Sequence, residues 1–140
     1  MIEIRVDGDP VGKGRPRFVR ATGVAFTPEK TVSYENRVAW AAQQAMKGRP
    51  LLQGPLELTV QLYFSIPASK PKKWKADANS GVIRPGKKPD IDNSIKAIMD
   101  ALNKVVYVDD GQIVHVCASK HYSDRPRAQI WIDNLSTAKI

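Results

Sequence analysis

The chain has 140 residues, with 22 Lys or Arg against 14 Asp or Glu and a formal net charge of +8. This length suits a single domain spanning residues 1–140 and leaves no room for a second full domain. The positive charge indicates a polyanionic partner. The single cysteine, Cys117, excludes an intrachain disulfide and a zinc site built from several cysteines, and we expect it in a buried or half-buried strand.

The amino-terminal sequence MIEIRV contains no basic region followed by an apolar run, so it does not resemble a secretory signal. No apolar stretch of the chain is long enough to span a membrane. We therefore expect a cytoplasmic protein without a membrane partner. Ile2, Ile4 and Val6 alternate with polar residues, which predicts a half-buried strand.

A basic arm follows this strand, because residues 10–21 carry four positive charges and no acid. Its flexible glycines, Gly12 and Gly14, would let it follow a phosphate backbone closely. The spacing is not that of a P-loop, since Gly14 stands where Ser or Thr would hold Mg²⁺. The alternative is a solvated basic loop. The DNA contacts predicted in the arm are Lys13, Arg15 and Arg17.

The next segments predict a small hairpin, a helix and a long strand. Residues 18–19 and 24–26 are apolar and flank a turn, which favours the hairpin. Thr27-Pro28-Glu29 is a good helix start, and Gly48 is expected to end that helix. Alternating apolar residues from Leu56 to Ile66 predict a strand with one buried face.

A lysine segment, residues 69–88, then carries seven basic residues and one acid. Ser69 is expected to cap a short helix that ends near Gly81. Trp74 could stack on a nucleic-acid base, but we favour packing against the core. The DNA contacts predicted in this segment are Lys70, Lys72, Lys73, Lys75, Lys87 and Lys88.

Residues 87–113 hold five of the 14 acidic residues of this basic protein. Ile91, Ile95, Ile98 and Leu102 recur at helical spacing, which predicts a helix. The five acids, which lie within this helix or close to its two ends, are Asp90, Asp92, Asp100, Asp109 and Asp110. Clustered carboxylates repel one another, so a fold that gathers them needs either a raised pKa on one of them or a bound cation.

Asp90 and Asp92 lie at the predicted helix start, with Lys96 one turn beyond, and Asp109 and Asp110 follow a short apolar run. If that run returns beside the helix start, three or four oxygen ligands converge with a lysine alongside. Such ligands suit Mg²⁺ or Mn²⁺. Taken singly, each aspartate could be a helix cap or part of a turn. The combination favours a metal site.

Two further strands, residues 112–118 and 127–132, are predicted to form a hairpin. His115 and His121 lie in or near the first of them and are given no catalytic role. Residues 135–140 are expected to be a frayed tail. The element order therefore predicts an α+β domain with helices packed on a mixed sheet.

The sequences KPDIDNSIKAIMDALN and VYVDDGQI resemble the signature of the RusA-like Holliday junction resolvases, small homodimeric endonucleases often carried by phages and prophages. The resemblance is densest over residues 88–113. It implies that Asp90, Asp92 and Asp110 are metal-binding carboxylates with Asp109 beside them, and that Lys96 assists catalysis. Relatives commonly have Gly at Lys104, so we expect Asn103 to adopt the left-handed conformation that closes the helix.

The resemblance implies an α+β RusA-like fold and Mg²⁺-dependent cleavage of branched DNA by a homodimer, because resolving a four-way junction needs two symmetric cuts. Lys96 would stabilise charge on the phosphate or leaving oxygen. Two other functions stay open: a nucleic-acid-binding protein without catalysis, and another metal-dependent phosphoryl-transfer enzyme.

Overall fold

A computed structural model describes residues 1–14 and 17–135. Its strands are β1 (Ile2–Asp7), β2 (Arg17–Val19), β3 (Val24–Phe26), β4 (Leu56–Ser65), β5 (Ile113–Ser123) and β6 (Arg127–Asn134). Its helices are α1 (Glu29–Met46), α2 (Lys72–Ser80) and α3 (Ile91–Leu102), and a 3-10 helix spans Asp110–Gln112. In these parts of the chain no helix has both the length and the apolar character needed to cross a membrane.

Four strands form one mixed sheet in the order β1-β6-β4-β5. β6 runs antiparallel to β1 and to β4, whereas β4 and β5 are parallel. β2 and β3 form the separate small hairpin that the sequence predicts. The predicted α+β fold with a mixed sheet is therefore confirmed.

The predicted hairpin between the last two strands is wrong, because β4 lies between β5 and β6. The physical reason is the apolar character of β4: Leu58, Val60 and Leu62 are fully buried, which suits a central strand with neighbours on both sides. The short link after Ser123 thus connects strands on opposite sides of β4. Consequently β5 is an edge strand. Cys117 lies on it and is exposed, so the prediction of a buried or half-buried cysteine is wrong.

The core lies between the sheet and the helices α1 and α3. α1 buries Tyr34 and Val38, and α3 buries Ile98 and Leu102. Burying each such side chain contributes about 1.5–3 kcal/mol relative to leaving it exposed. This packing fixes the start of α3 beside the amino end of β5.

Several boundaries differ from the sequence prediction. Pro28, and not Thr27, occupies the N-cap position of α1, and Pro71 instead of Ser69 does so in α2. Asn103 is not left-handed; Lys104 has φ 64° instead, and its N–H donates to the Tyr107 carbonyl at 2.6 Å. This hydrogen bond stabilises Lys104 in a left-handed conformation that glycine would adopt more easily. In the predicted tail, residues 136–140 lie outside the described residues.

Candidate active site

Asp90 and Asp92 lie at the amino end of α3, as the sequence predicts. Asp90 is the N-cap residue, and its carbonyl accepts from the Ser94 N–H at 3.1 Å. Its side chain makes no capping hydrogen bond, so the carboxylate is not used to hold the helix. Both carboxylates are exposed where the free N–H groups of the first turn favour negative charge.

Asp109 and Asp110 form the turn that leads into β5. Asp109 Oδ2 accepts from the Gly111 N–H at 2.9 Å, and the Gln112 side chain accepts from the Asp109 N–H at 3.2 Å. Gln112 also donates to the Leu52 carbonyl at 3.0 Å. Asp109 therefore has a capping role in this turn, and Asp110 opens the 3-10 helix with a half-buried side chain.

Asp92, Lys96 and Asp110 line one cavity of about 420 Å³ between α3 and β5. The rest of its wall is apolar and consists of Ile91, Ile95, Met99, Val116 and Ala118. The structure thus brings together three of the predicted site residues that lie up to eighteen positions apart in the sequence. Asp90 lines a neighbouring cavity of about 940 Å³ together with Lys13 and Lys88.

The chemistry of the donor atoms suits a hard divalent cation, because two carboxylates, those of Asp92 and Asp110, line this cavity. Within residues 1–14 and 17–135, no three His, Cys, Asp or Glu side chains form a group that could hold a metal ion. Mg²⁺ usually keeps several waters and binds through one or two carboxylates plus substrate phosphates, so such a site needs no third carboxylate. The assignment of Asp90, Asp92, Asp109 and Asp110 as metal ligands stays a prediction.

A network of four charged side chains includes Lys96 of this cavity. Lys13 Nζ is 2.7 Å from Glu35 Oε2 and 3.3 Å from Asp100 Oδ2, and Lys96 Nζ is 3.8 Å from the same Asp100 oxygen. Burial lowers the pKa of Lys13, but its hydrogen bonds to Glu35 and Asp100 and their negative charges outweigh burial and raise it. Lys13 is therefore held as a cation between two acids.

Comparison with known proteins identifies the family. The family model for endodeoxyribonuclease RusA matches residues 7–133. The chain belongs to the RusA family. A Bacillus subtilis (strain 168) protein, whose printed name is "Uncharacterized protein YqaN", is 37% identical over 139 residues, covering 96% of this chain and 97% of its own length.

RusA is an endodeoxyribonuclease family, so the match places this chain among DNA-cleaving hydrolases. The matched range contains the whole of α3 and the turn before β5. The suspected RusA resemblance is therefore confirmed at the level of the family.

The basic residues predicted to contact DNA differ in their surroundings. Lys13 of the basic arm forms ion pairs, and only 19% of its side chain is exposed. Most lysines of the lysine segment are exposed to solvent. Arg15 lies outside the described residues, as does the side chain of Arg17. The exposed lysines are Lys70, Lys72, Lys73, Lys87 and Lys88, and Lys75 is half-buried.

The contacts of the Trp74 ring bear on the prediction made for this residue. The ring is half-buried and lies edge-on to Tyr122, with ring centroids 5.5 Å apart, and Lys70 Nζ lies 5.1 Å from its centroid. Trp74 therefore packs on Tyr122 at the surface of the sheet and is not part of the main core, so the favoured packing against the core is not confirmed.

The sequence analysis did not assign three residues that contribute to the geometry of the site. Lys120 Nζ donates to the Lys87 and Pro89 carbonyls at 2.6 and 2.8 Å, which ties the segment before Asp90 to β5. Glu35 and Asp100 were not assigned to the site. The signal for Asp100 was present, because it follows Lys96 by one helical turn. Nothing in the sequence pairs Glu35 or Lys120 with its distant partners.

Proposed function

We propose that this RusA-family protein is a Mg²⁺-dependent endonuclease that resolves Holliday junctions by paired phosphodiester hydrolysis in DNA recombination and repair. The observation that carries the proposal is the cavity shared by Asp92, Lys96 and Asp110. It combines two carboxylates with one cation, in a family of endodeoxyribonucleases. Mn²⁺ is the alternative metal, because it prefers the same oxygen ligands.

In this proposal Asp92 and Asp110 hold the cation, with Asp90 and Asp109 beside them. When bound, the cation would polarise the scissile phosphate and lower the pKa of an attacking water. Lys96 stabilises negative charge that develops on the phosphate or leaving oxygen. Its side chain is 63% exposed, so it can reach a phosphate at the mouth of the cavity.

The exposed lysines supply the contacts to neighbouring phosphates. Lys88 lines the cavity next to Asp90, and Lys87 precedes it, so both lie close to the proposed cleavage site. The exposed lysines of α2, Lys72 and Lys73, add further positive charge to the surface. Such contacts position DNA without reading its sequence.

The branched substrate and the homodimer are supported by family membership and by symmetry. A junction is resolved by two symmetric cuts, and a two-fold dimer presents two identical sites. Each chain would then supply one site, with carboxylates from α3 and from the 3-10 helix before β5, and each site would cut one strand.

A substrate panel tests the function directly. Four-way, duplex and single-stranded DNA and single-stranded RNA, each labelled on one strand, are incubated with Mg²⁺ or with excess EDTA. We expect symmetric cuts in the four-way junction in Mg²⁺ alone. Junction binding without cleavage would favour a non-catalytic binding protein. Preferential cleavage of RNA or unbranched DNA would favour a different phosphodiesterase.

A further inference from the structure

Lys96 has two possible acidic partners on α3, one turn away on either side. Asp92 precedes it by four residues and Asp100 follows it by four. On an isolated helix, an acid four residues before a lysine makes the better ion pair. Intrinsic helix preference therefore favours a pair between Lys96 and Asp92, which would place the ammonium on a carboxylate of the proposed metal site.

The structure shows the other pair. In the described part of the chain, the ion pair of Lys96 is with Asp100, at 3.8 Å. Asp100 is also less accessible to solvent than Asp92, because 25% of the Asp100 side chain is exposed whereas Asp92 is an exposed residue. A partly buried carboxylate attracts a cation more strongly than one in water, because the effective dielectric constant is lower.

Asp100 is itself held in place from the opposite side. Lys13 lies 3.3 Å from the same Asp100 oxygen and 2.7 Å from Glu35, and both Lys13 and Glu35 have side chains that are 19% exposed. The Lys13 N–H also donates to the Asn93 carbonyl at 2.9 Å, which attaches this lysine to the first turn of α3. The four charges alternate in sign from Glu35 through Lys13 and Asp100 to Lys96.

We propose that Asp100 is a positioning residue: it holds the Lys96 ammonium away from Asp92, so that the Asp92 carboxylate stays free to bind a divalent cation. Lys13 and Glu35 fix Asp100 in this role. The inference rests on the metal-dependent function proposed above and adds to it a means of keeping two opposite charges of one small cavity apart.

Mn²⁺ binding to the DNA-free protein, followed by electron paramagnetic resonance, tests the proposal without relying on cleavage. Asp100→Asn preserves the shape of the side chain and releases Lys96, which then competes with Mn²⁺ for Asp92. We expect the Kd for Mn²⁺ to rise about two- to fivefold, the effect of one exposed ion pair. Asp124→Asn removes the same charge at an exposed turn remote from the cavity and should leave the Kd unchanged.

The double variant Lys96→Met/Asp100→Asn separates positioning from a general charge effect. Without Lys96 there is no competitor, so its Kd should match that of Lys96→Met alone. Lys96→Met alone keeps Asp100 and should change the Kd less than twofold, because Lys96 is already held away from Asp92. This variant keeps the proposal falsifiable even if Asp100→Asn does not fold, because a severalfold gain in affinity would show that Lys96 already competes for Asp92 in the wild type.

Each other outcome overturns the proposal. These outcomes are an unchanged Kd in Asp100→Asn, a loss that persists in the double variant, or a severalfold gain in affinity in Lys96→Met. Absence of Mn²⁺ binding by the wild-type protein would overturn the proposed function as well. Normal wild-type binding together with any of the first three outcomes would overturn the positioning role alone.

Discussion

Gly12→Ala should loosen the contact between the amino-terminal arm and the segment that presents Asp90. A Cβ added at Gly12 would lie 2.8 Å from the Pro89 Cβ and 3.4 Å from the Asn93 Cβ. Carbon atoms in favourable contact are about 3.5–4.0 Å apart, so the first distance is too short by roughly 0.7–1.2 Å. Pro89 cannot rotate away, since its ring is fixed to the backbone.

The expected cost is that of overpacking, about 1–3 kcal/mol in the free energy of unfolding. For a chain of this size that corresponds to a fall in Tm of roughly 3–10 °C. The strain falls on Pro89 and Asn93, next to Asp90 and Asp92. Cleavage should therefore decrease even at a temperature at which the variant is fully folded.

Thermal unfolding followed by circular dichroism measures this cost, and Gly86→Ala is the matched control. Gly86 is also a loop glycine, but a Cβ there meets no atom within 4 Å. Its replacement should be neutral or stabilising by about 0.4–1 kcal/mol, because alanine restricts the unfolded chain. A Gly12→Ala protein that melts like Gly86→Ala would refute the close approach of the arm to α3.

Three further predictions follow from the site and its surroundings. Lys96→Met should strongly reduce turnover, while its lost helix pair costs only ~0.5 kcal/mol of stability; normal cleavage by this variant would remove Lys96 from the mechanism. Lys72→Gln or Lys88→Gln should reduce the slope of log affinity against log salt by about one, whereas Lys13→Gln, which breaks ion pairs, should chiefly lower Tm. An unchanged slope for both exposed lysines would assign them to solvated surface. Burial, and then the nearby Arg84 charge, lower the pKa of His121, so the unfolded chain binds protons more readily and stability should fall as pH drops below about 6.5. His121→Gln should flatten this loss of stability at low pH; equal acid sensitivity of the wild type and His121→Gln would contradict this role of His121.

The helices and strands that follow from the local spacing of apolar residues were predicted correctly. The spacing of four, three and four residues between Ile91, Ile95, Ile98 and Leu102 predicted α3. Alternation of apolar and polar residues predicted β1 and β4. Local periodicity does not state which strands become neighbours. The short link between β5 and β6 favoured a hairpin, yet the fully buried face of β4 made it the central strand.

The site was predictable as a motif and not as a geometry. The DxD pair, Lys96 and Asp110 were assigned from spacing and resemblance, and three of these side chains do share a cavity. The pairing of Lys13 with Glu35 and Asp100 joins residues 22 and 87 positions apart, which no helical or strand period reports. The glycines of the arm were interpreted as freedom to follow phosphate, whereas Gly12 and Gly14 are sites of close packing against Pro89 and Pro28.

The most direct test of the metal-dependent mechanism is junction cleavage by Asp92→Asn, with Asp124→Asn as the control of equal charge change. Asparagine keeps the size of the side chain and is accepted at helix starts, so α3 should persist. Junction binding in EDTA should equal or exceed that of the wild type, because one negative charge facing phosphate has been removed. Cleavage in Mg²⁺ should fall to background in Asp92→Asn and persist in Asp124→Asn. Wild-type rates of cleavage by Asp92→Asn would contradict the account.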